Sequence, residues 1–378
     1  MPLRLALCMD LAPRKLGSFE AWLVALAAEA RRRGHQLDLF GVDPVHADVA
    51  ERLGELGVRW AHVDTLKRPA LRSARRLAQA YDVLHVNLFA PRTRIALIAQ
   101  AAWPARVIYT LHLAVTDPDG PPPPLSRRVL DRLSLRRVSA VVSVSEYVSR
   151  QAVARFGLLG RTHVIYNGVD SKRFTPPAET RRPDGPLRLF AAGNLHPIKG
   201  LHHLLHALAQ LPRESVRLAI AGDGEEQGRL RDLAAALDLG GRVEFLGLRN
   251  DIPQLLRESD VFVHPVVVPE AFGFAIAEAM ASGRAVVASG TGGIPELIRD
   301  GVSGLLVPPG KPDALAAALR RFVDEPALRA RLGAAARAEV ERRFTLGACV
   351  TAHLDLCERL AHRRAVPVSR EWRVAASA

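Results

Sequence analysis

Short apolar runs alternate with longer stretches of helical periodicity along the whole chain. The runs at residues 3–9, 36–40, 83–86, 107–111, 141–144 and 163–165 are brief and rich in Val, Ile and Leu, so they predict buried strands. Between the first two, Phe19, Leu23, Leu26, Ala27 and Ala30 fall on one helical face, which predicts a helix over 18–33 ended by Gly34. Such alternation builds βαβ units and a parallel sheet. The pattern then pauses. Pro176, Pro177, Pro183 and Pro186, mixed with Arg181, Arg182 and Asp184, have the composition of a linker. It restarts with strands at 187–192, 217–221, 242–246, 261–264, 285–288 and 304–307. One last helical pattern runs near 328–364, and a polar tail follows. The expected organisation is an α/β fold of two Rossmann-like α/β/α domains. The first covers 1–170, a linker 171–186, and the second 187–345; residues 346–378 supply a final helix and tail, the helix able to pack back on the first domain. Two such domains imply a cleft, with ligands beyond the carboxyl ends of the strands.

Composition narrows this picture. A chain of 378 residues with 48% apolar and 24% charged residues fills two cores and excludes intrinsic disorder. Three cysteines (Cys8, Cys349, Cys357) exclude a disulfide scaffold and fit a reducing compartment. The first apolar run is too short for a signal peptide, and no stretch approaches the roughly 18 apolar residues of a spanning helix. A cytoplasmic protein, soluble or bound at the inner membrane face, is expected. The net charge is +13, of which +9 lies in residues 1–170, with dense basic runs at 31–33, 67–76 and 127–137. The segment 125–137 reads as a basic amphipathic helix whose apolar positions are Leu125, Val129, Leu130 and Leu133. It suits either an anionic membrane surface or ordinary packing with a solvated outer face. Nucleic acid is not an expected partner, because aromatics are only 5% and no helix-turn-helix, zinc or RNA-binding signature is present.

The chemistry-bearing motifs cluster in the second half. Glu270 and Glu278 flank a Phe272-Gly273-Phe274 turn. A helix starting near Phe272 would leave Glu270 in the preceding loop and place Glu278 about two turns in. Free N–H groups at such a start can hold a phosphate or a sugar hydroxyl. Alone, the two acids read equally as an ordinary helix start favoured by the dipole. Residues 193–200 (Gly-Asn-Leu-His-Pro-Ile-Lys-Gly) follow a strand and put Lys199 at a strand-to-helix turn, a place for an anion contact. Gly222-Asp-Gly224, 243–247, 260–265, 290–296 and 300–308 complete the series. His202, His203 and His206 share a helix without an acidic or Cys partner, so no metal site is expected.

In order and spacing, this series over residues 187–325 resembles the C-terminal half of family 4 glycosyltransferases, which have the GT-B fold. The resemblance implies transfer of a sugar from a nucleotide-diphosphate donor to a glycan or lipid-linked acceptor, with retention and without a metal or other cofactor. It implies that Lys199 neutralises the donor diphosphate and that Glu278 holds the ribose. Glu270, with the backbone N–H groups around Phe272, Gly273 and Phe274, would hold the transferred sugar. The main chain near Leu246 would meet the base. Asn194 stands where the family usually carries an arginine, so more of the charge on the leaving group falls to Lys199, aided in principle by Arg14 or Lys15.

The first half resembles the family less closely. Gly17 matches the first glycine of the family's Gly-Gly loop, and Ser18 replaces the second at some expected loss of backbone freedom. His112, in Tyr109-Thr-Leu-His112, matches the family's active-site histidine; a strand-end His is otherwise a satisfied structural residue. Residues 165–174 match the segment crossing between domains, and Pro121 to Pro124 stiffen an acceptor-side loop. Retention with Glu270 as a hydroxyl ligand implies same-face attack, the departing diphosphate taking the acceptor's proton. The alternatives are another nucleotide-sugar enzyme on this fold (an epimerase or hydrolase), a phosphorylase-like enzyme, a nucleic-acid-binding protein and a two-lobed solute-binding protein.

Overall fold

The computed structural model describes residues 1–9, 17–41, 46–62, 79–87, 105–113, 124–135, 137–178 and 185–362. Side chains at 62, 127, 128, 130, 131 and 134 also fall outside the description. Arg14, Lys15, the 67–76 basic run, Pro121 to Pro123, Arg181 to Asp184 and the terminal tail from 363 onward lie outside the described residues. The chain divides into two compact units, Met1–Tyr166 with Gly347–Ala378, and Asn167–Leu346. The second unit thus begins ahead of the proline-rich stretch.

In the first unit the strands are β1 (Arg4–Met9), β2 (Gln36–Gly41), β3 (Arg59–His62), β4 (Val83–Asn87), β5 (Arg106–Leu111), β6 (Ala140–Ser143) and β7 (Thr162–Val164). All pair in parallel, in the order β3-β2-β1-β4-β5-β6-β7. The order reverses between β1 and β4, so loops on either side of that point diverge and leave a crevice at the carboxyl edge. The described helices are α1 (Ser18–Arg32), α2 (Ala47–Glu55), α3 (Leu125–Ser134) and α4 (Glu146–Phe156). The helix over 18–33 is α1, with Leu23, Leu26, Ala27 and Ala30 buried. Strand β3 was not expected. It is a short edge strand of alternating Arg, Trp, Ala and His, which carries no apolar run. A buried carboxylate fixes it instead: Asp38 on β2 takes Arg59 at 2.6 Å and the Tyr81 hydroxyl at 2.8 Å.

Helix α3 resolves one choice left open by the sequence. Leu125, Val129 and Leu133 are 73%, 49% and 51% exposed, so these three residues of the stripe face solvent rather than a core. The packed-helix reading fails for them. Leu135, just past the helix, is fully buried.

The second unit holds β8 (Leu187–Ala192), β9 (Val216–Ala221), β10 (Val243–Gly247), β11 (Val261–His264), β12 (Ala285–Ser289) and β13 (Leu305–Val307). They too are all parallel, in the order β10-β9-β8-β11-β12-β13, which reverses between β8 and β11. The helices are α5 (Leu201–Ala209), α6 (Gln227–Ala236), α7 (Ile252–Glu258), α8 (Phe274–Ala281), α9 (Ile294–Leu297), α10 (Pro312–Asp324) and α11 (Pro326–Arg343). One sheet face packs Leu189, Leu218, Val263 and Val287 against Leu204, Leu208, Leu319 and Phe322 of α5 and α10. The final helical pattern is two helices rather than one: α12 (Leu346–His362) follows α11 after a break. At the break Thr345 bridges Val169, and the Leu346 N–H donates to the Val169 carbonyl at 3.0 Å. A helix there would give up this pairing. The rest of α12 joins the first unit, where Arg33 bonds Asp355 at 2.6 Å and Glu358 at 3.0 Å. Among the described residues no helix is long and apolar enough to cross a membrane.

Candidate active site

In the second unit the candidate residues converge at the carboxyl edge, on both sides of the β8/β11 reversal. The loop after β8 runs through Asn194 to a 3-10 turn, Pro197–Lys199, that ends at Gly200. Its Ile198 carbonyl accepts from the Val267 N–H at 2.9 Å, stitching this loop to the one after β11. That contact sets Lys199 beside Glu270: the ammonium donates to Oε1. On the other oxygen, His264 brings Nε2 to 3.1 Å from Oε2. The approach is off the ring's N–H axis, so Nε2 is buried with no hydrogen-bond partner among the described residues. Glu270 is also fixed through its main chain. The Gly293 N–H donates to its carbonyl at 2.7 Å, and Gly292 pairs with it as a parallel bridge. Gly292 has φ +64°, and a Cβ there would lie 2.3 Å from the Glu270 carbonyl oxygen, so only glycine allows this approach.

Burial pushes the Glu270 carboxyl upward, but His264 first and Lys199 second outweigh it, holding the group down at about 2. Glu270 is therefore a carboxylate at any working pH. Beside it Gly273, with φ +100°, starts α8; a Cβ there would stand 3.5 Å from Glu270 Oε2. The helix thus begins two residues later than the sequence suggests. Phe272 is held out of it, packed edge-on against Phe274 and Phe344 with centroids 5.5 and 5.9 Å apart. Glu278 consequently sits little more than one turn into α8, half-buried, not two turns in. The first N–H groups of α8 lack intrahelical acceptors, and a helix start of this kind can take sugar hydroxyls or phosphate oxygens. Asn194 lies against the next loop, its amide oxygen 2.6 Å from where a Gly224 Cβ would stand. Leu246 is half-buried on β10, whose last residue, Gly247, accepts from the Gly222 N–H at 2.8 Å. So Lys199, Glu270 and Gly273 are brought together, with Asn194 earlier on the loop of Lys199 and Leu246 near the carboxyl end of β10. Sequence reasoning missed His264; a histidine closing an apolar strand looks like any core residue until its neighbour is known.

In the first unit, Gly17 is the N-cap of α1 with φ −96°, and the Glu20 side chain caps its N–H at 2.9 Å. Ser18 is the first helical residue and has no positive φ, so serine there gives up none of the freedom a glycine would add. His112 follows β5. Its Nε2 meets Asn87 Oδ1 at 2.9 Å, which assigns the proton to Nε2 and leaves Nδ1 as the acceptor. Asn87 is fully buried, and its Nδ2 has no partner among the described residues. Burial, then the nearby His353 ring, pulls His112 down to about 3. Behind it lies an aromatic cluster. His85 stacks on His353 of α12 at 5.5 Å and bonds Thr110 at 2.7 Å, and Trp22 stands edge-on to both rings. His353 Nδ1 meets the Cys349 carbonyl at 2.9 Å, and burial lowers it to about 4. His85 is pushed well below its ordinary value, by burial first and then by His353 and His112. All three histidines are neutral polar groups near neutral pH. Among the described residues no set of three His, Cys, Asp or Glu could hold a metal ion.

Comparison with known proteins decides what this arrangement belongs to. Residues 20–173 match the model of Glycosyltransferase Family 4, and residues 173–339 that of Glycosyl transferases group 1. The chain belongs to the family 4 glycosyltransferases. It is 29% identical to a D-inositol 3-phosphate glycosyltransferase of Xylanimonas cellulosilytica, over 92% of this chain and 93% of that protein. It is 33% identical to a GDP-mannose-dependent monoacylated alpha-(1-6)-phosphatidylinositol monomannoside mannosyltransferase of Corynebacterium glutamicum, over 57% of this chain and 61% of that one. Anabaena Alr3699/HepE, solved in complex with UDP-glucose, superposes with a TM-score of 0.77 at 25% identity, covering 94% of this chain and 99% of that chain. The family 4 chain has the GT-B fold and is a glycosyltransferase that uses a nucleotide sugar.

Proposed function

We propose that this family 4 glycosyltransferase moves a hexose-type sugar, with retention, from a nucleoside-diphosphate donor to a phosphate-bearing glycan or lipid-linked acceptor in surface polysaccharide or glycolipid synthesis. The observation that carries the reading is Glu270, a carboxylate fixed beside Lys199 and the start of α8. In this reading Lys199 offsets the charge that grows on the leaving diphosphate, an interaction stronger in the transition state than before it. Glu270 and the first N–H groups of α8 hold the sugar hydroxyls, Glu278 the ribose, and the main chain near Leu246 the base. Asn194, and Gly17 with Ser18, line the donor's path.

His112, neutral and fixed by Asn87, serves the reacting sugar as a hydrogen-bonding group rather than as a cation. Transfer occurs on one face: the acceptor oxygen bonds to the anomeric carbon as the bond to the diphosphate breaks, and the acceptor's proton passes to the diphosphate. No metal or other cofactor takes part. Trapping a covalent sugar on Glu270 overturns this route.

Both curated relatives named above carry acceptors with a phosphate in their names, and +9 of this chain's charge lies in residues 1–170, which supports an anionic acceptor. The exposed stripe of α3, in an arginine-rich stretch, supports contact with an anionic bilayer at the inner face of the membrane. Flotation with phosphatidylglycerol-containing vesicles, but not with neutral ones, is the expected result. The decisive experiment is a binding screen of UDP-glucose, UDP-N-acetylglucosamine and GDP-mannose, followed by NMR of the product. A glycosylated acceptor with the donor's anomeric configuration is expected. Binding of none sinks the donor reading, and turnover to an epimer or free sugar without acceptor moves the chain to the epimerase or hydrolase alternative.

A further inference from the structure

The second unit contains one buried imidazole that the proposed chemistry leaves idle. His264 ends β11 at the carboxyl edge, almost fully buried, with its ring stacked on Phe262 at 6.1 Å. Its Nε2 stands 3.1 Å from Glu270 Oε2 yet off the hydrogen-bonding axis, and no other described group partners it. A buried nitrogen without an aligned partner is costly, so the arrangement needs a compensating use. Lys199 meanwhile faces two demands. In the structure it neutralises Glu270 through Oε1. In the donor complex the same ammonium is needed by the diphosphate. A doubly charged diphosphate competes strongly for one ammonium, so the Lys199–Glu270 pair loosens when donor binds. Glu270 is largely buried and is then left with His264 alone, which approaches off axis; a buried carboxylate without an aligned hydrogen bond swings toward solvent or takes up a proton. Either change would spoil its grip on the sugar.

We infer that His264 is a positioning residue for Glu270: its Nε2–H takes over the carboxylate when Lys199 turns to the diphosphate, and so keeps Glu270 aimed at the sugar hydroxyls. The off-axis approach in the unliganded chain fits this role. With Lys199 on Oε1 the carboxylate is held in the lysine's orientation, and a small rotation about its last torsion brings Oε2 into line with Nε2–H. His264 acts through Glu270 and touches no substrate itself. The inference rests on the reading of Glu270 as a sugar ligand, and it extends that reading to a residue outside the motif.

The test separates sugar recognition from diphosphate recognition. Calorimetry measures the affinities of two pairs, UDP-glucose with UDP and GDP-mannose with GDP, for the full chain and its variants. Whichever pair the wild type prefers is used. Only the nucleotide sugar reports on Glu270, so the informative quantity is the affinity ratio within the pair. His264→Leu keeps the volume but loses the donor, and it is expected to reduce that ratio about tenfold while leaving the nucleoside diphosphate affinity within about twofold. His264→Gln places an amide N–H near the position of Nε2 and is expected to restore the ratio to within about threefold. His264→Asn, too short to reach Glu270, is a second disabling variant should the leucine form fail to fold. Lys199→Ala, by contrast, lowers both affinities together. An unchanged ratio in the leucine or asparagine variant, or a loss that glutamine does not recover, overturns the role of His264. A wild type that binds neither pair overturns the donor reading beneath it.

Discussion

The two units solve the same architectural problem and arrive at opposite electrostatics. Each is a parallel sheet whose strand order reverses once, and each sets its candidate residues at or near that reversal. In the second unit the group is charged: Glu270 is held ionised by His264 and Lys199. In the first it is neutral: His112, His85 and His353 are all stripped of their protons by burial. The contrast suits the proposed division of labour. A leaving diphosphate demands a cation and a fixed carboxylate, whereas a sugar near an oxocarbenium-like state would be repelled by a nearby imidazolium. A charged site needs counter-ions that loops must deliver, and a neutral one needs only a dry wall of rings. The comparison therefore predicts different failures for the two regions.

The largest effect should come from Lys199→Ala, which strips the charged site of its mobile cation. Turnover should fall about 100- to 1000-fold, more than donor affinity falls. Equal losses in KM and kcat/KM with unchanged kcat would instead assign Lys199 to uniform binding. Acid should then separate the units. A histidine held neutral in the fold, but free to protonate near 6.5 when unfolded, weakens the fold as pH drops below about 6.5 and does so until the folded value is passed. For His353, folded at about 4, the full loss is about 3 kcal/mol, and His112 adds to it down to about 3. Glu270 loses stability in the same direction but over a lower window. Its folded value of about 2 lies below the ordinary 4.5, so its contribution is intact above about 4.5 and fades only as pH falls from there toward 2. Hydrogen exchange, corrected for intrinsic rates, should therefore show amides of β4, β5 and α12 losing protection by about pH 5 while those near Glu270 keep theirs. Simultaneous loss would erase the distinction.

Gly292→Ala presses a methyl group on the Glu270 backbone in a left-handed conformation and should cost the second unit about 2 kcal/mol in denaturant titrations. A neutral result would mean that the loop yields freely and does not fix Glu270. The smallest effect belongs to His353→Phe. The ring still meets Trp22 edge-on, so stability at pH 7 should change by less than about 1 kcal/mol, while the acid sensitivity of the first unit shrinks. Unaltered acid sensitivity would remove His353 from that account.

Much of the scaffold was legible because it rests on local signals. Buried parallel strands are continuous Val, Leu and Ile runs, and those runs place β1, β8, β11 and β12 nearly to the residue. Strand β3 escaped because an edge strand of Arg, Trp, Ala and His has no such run. The α11/α12 break escaped because nothing between Glu341 and Leu346 interrupts helical periodicity; a pairing with Val169, far away in sequence, makes the break. The start of α8 moved because Gly273 takes a left-handed conformation that puts Phe272 into the core.

The site divides in the same way. Lys199, Glu270 and Gly273 were visible in the sequence, since strand ends and glycine turns fix which residues reach the carboxyl edge of a parallel sheet. The pairing of Lys199 with Glu270, the idle nitrogen of His264, the hold of Asn87 on His112 and the stack of His85 on His353 were not. Each joins residues from separate strands, loops or helices, and the charge a side chain carries depends on what surrounds it. The sequence by itself determined the two parallel sheets and the residues offered at their edges, because periodicity and turn chemistry act over a few neighbours. Only the tertiary structure decided which of those residues are charged, which are neutral and which lack a partner, because burial and contact are properties of the packed chain.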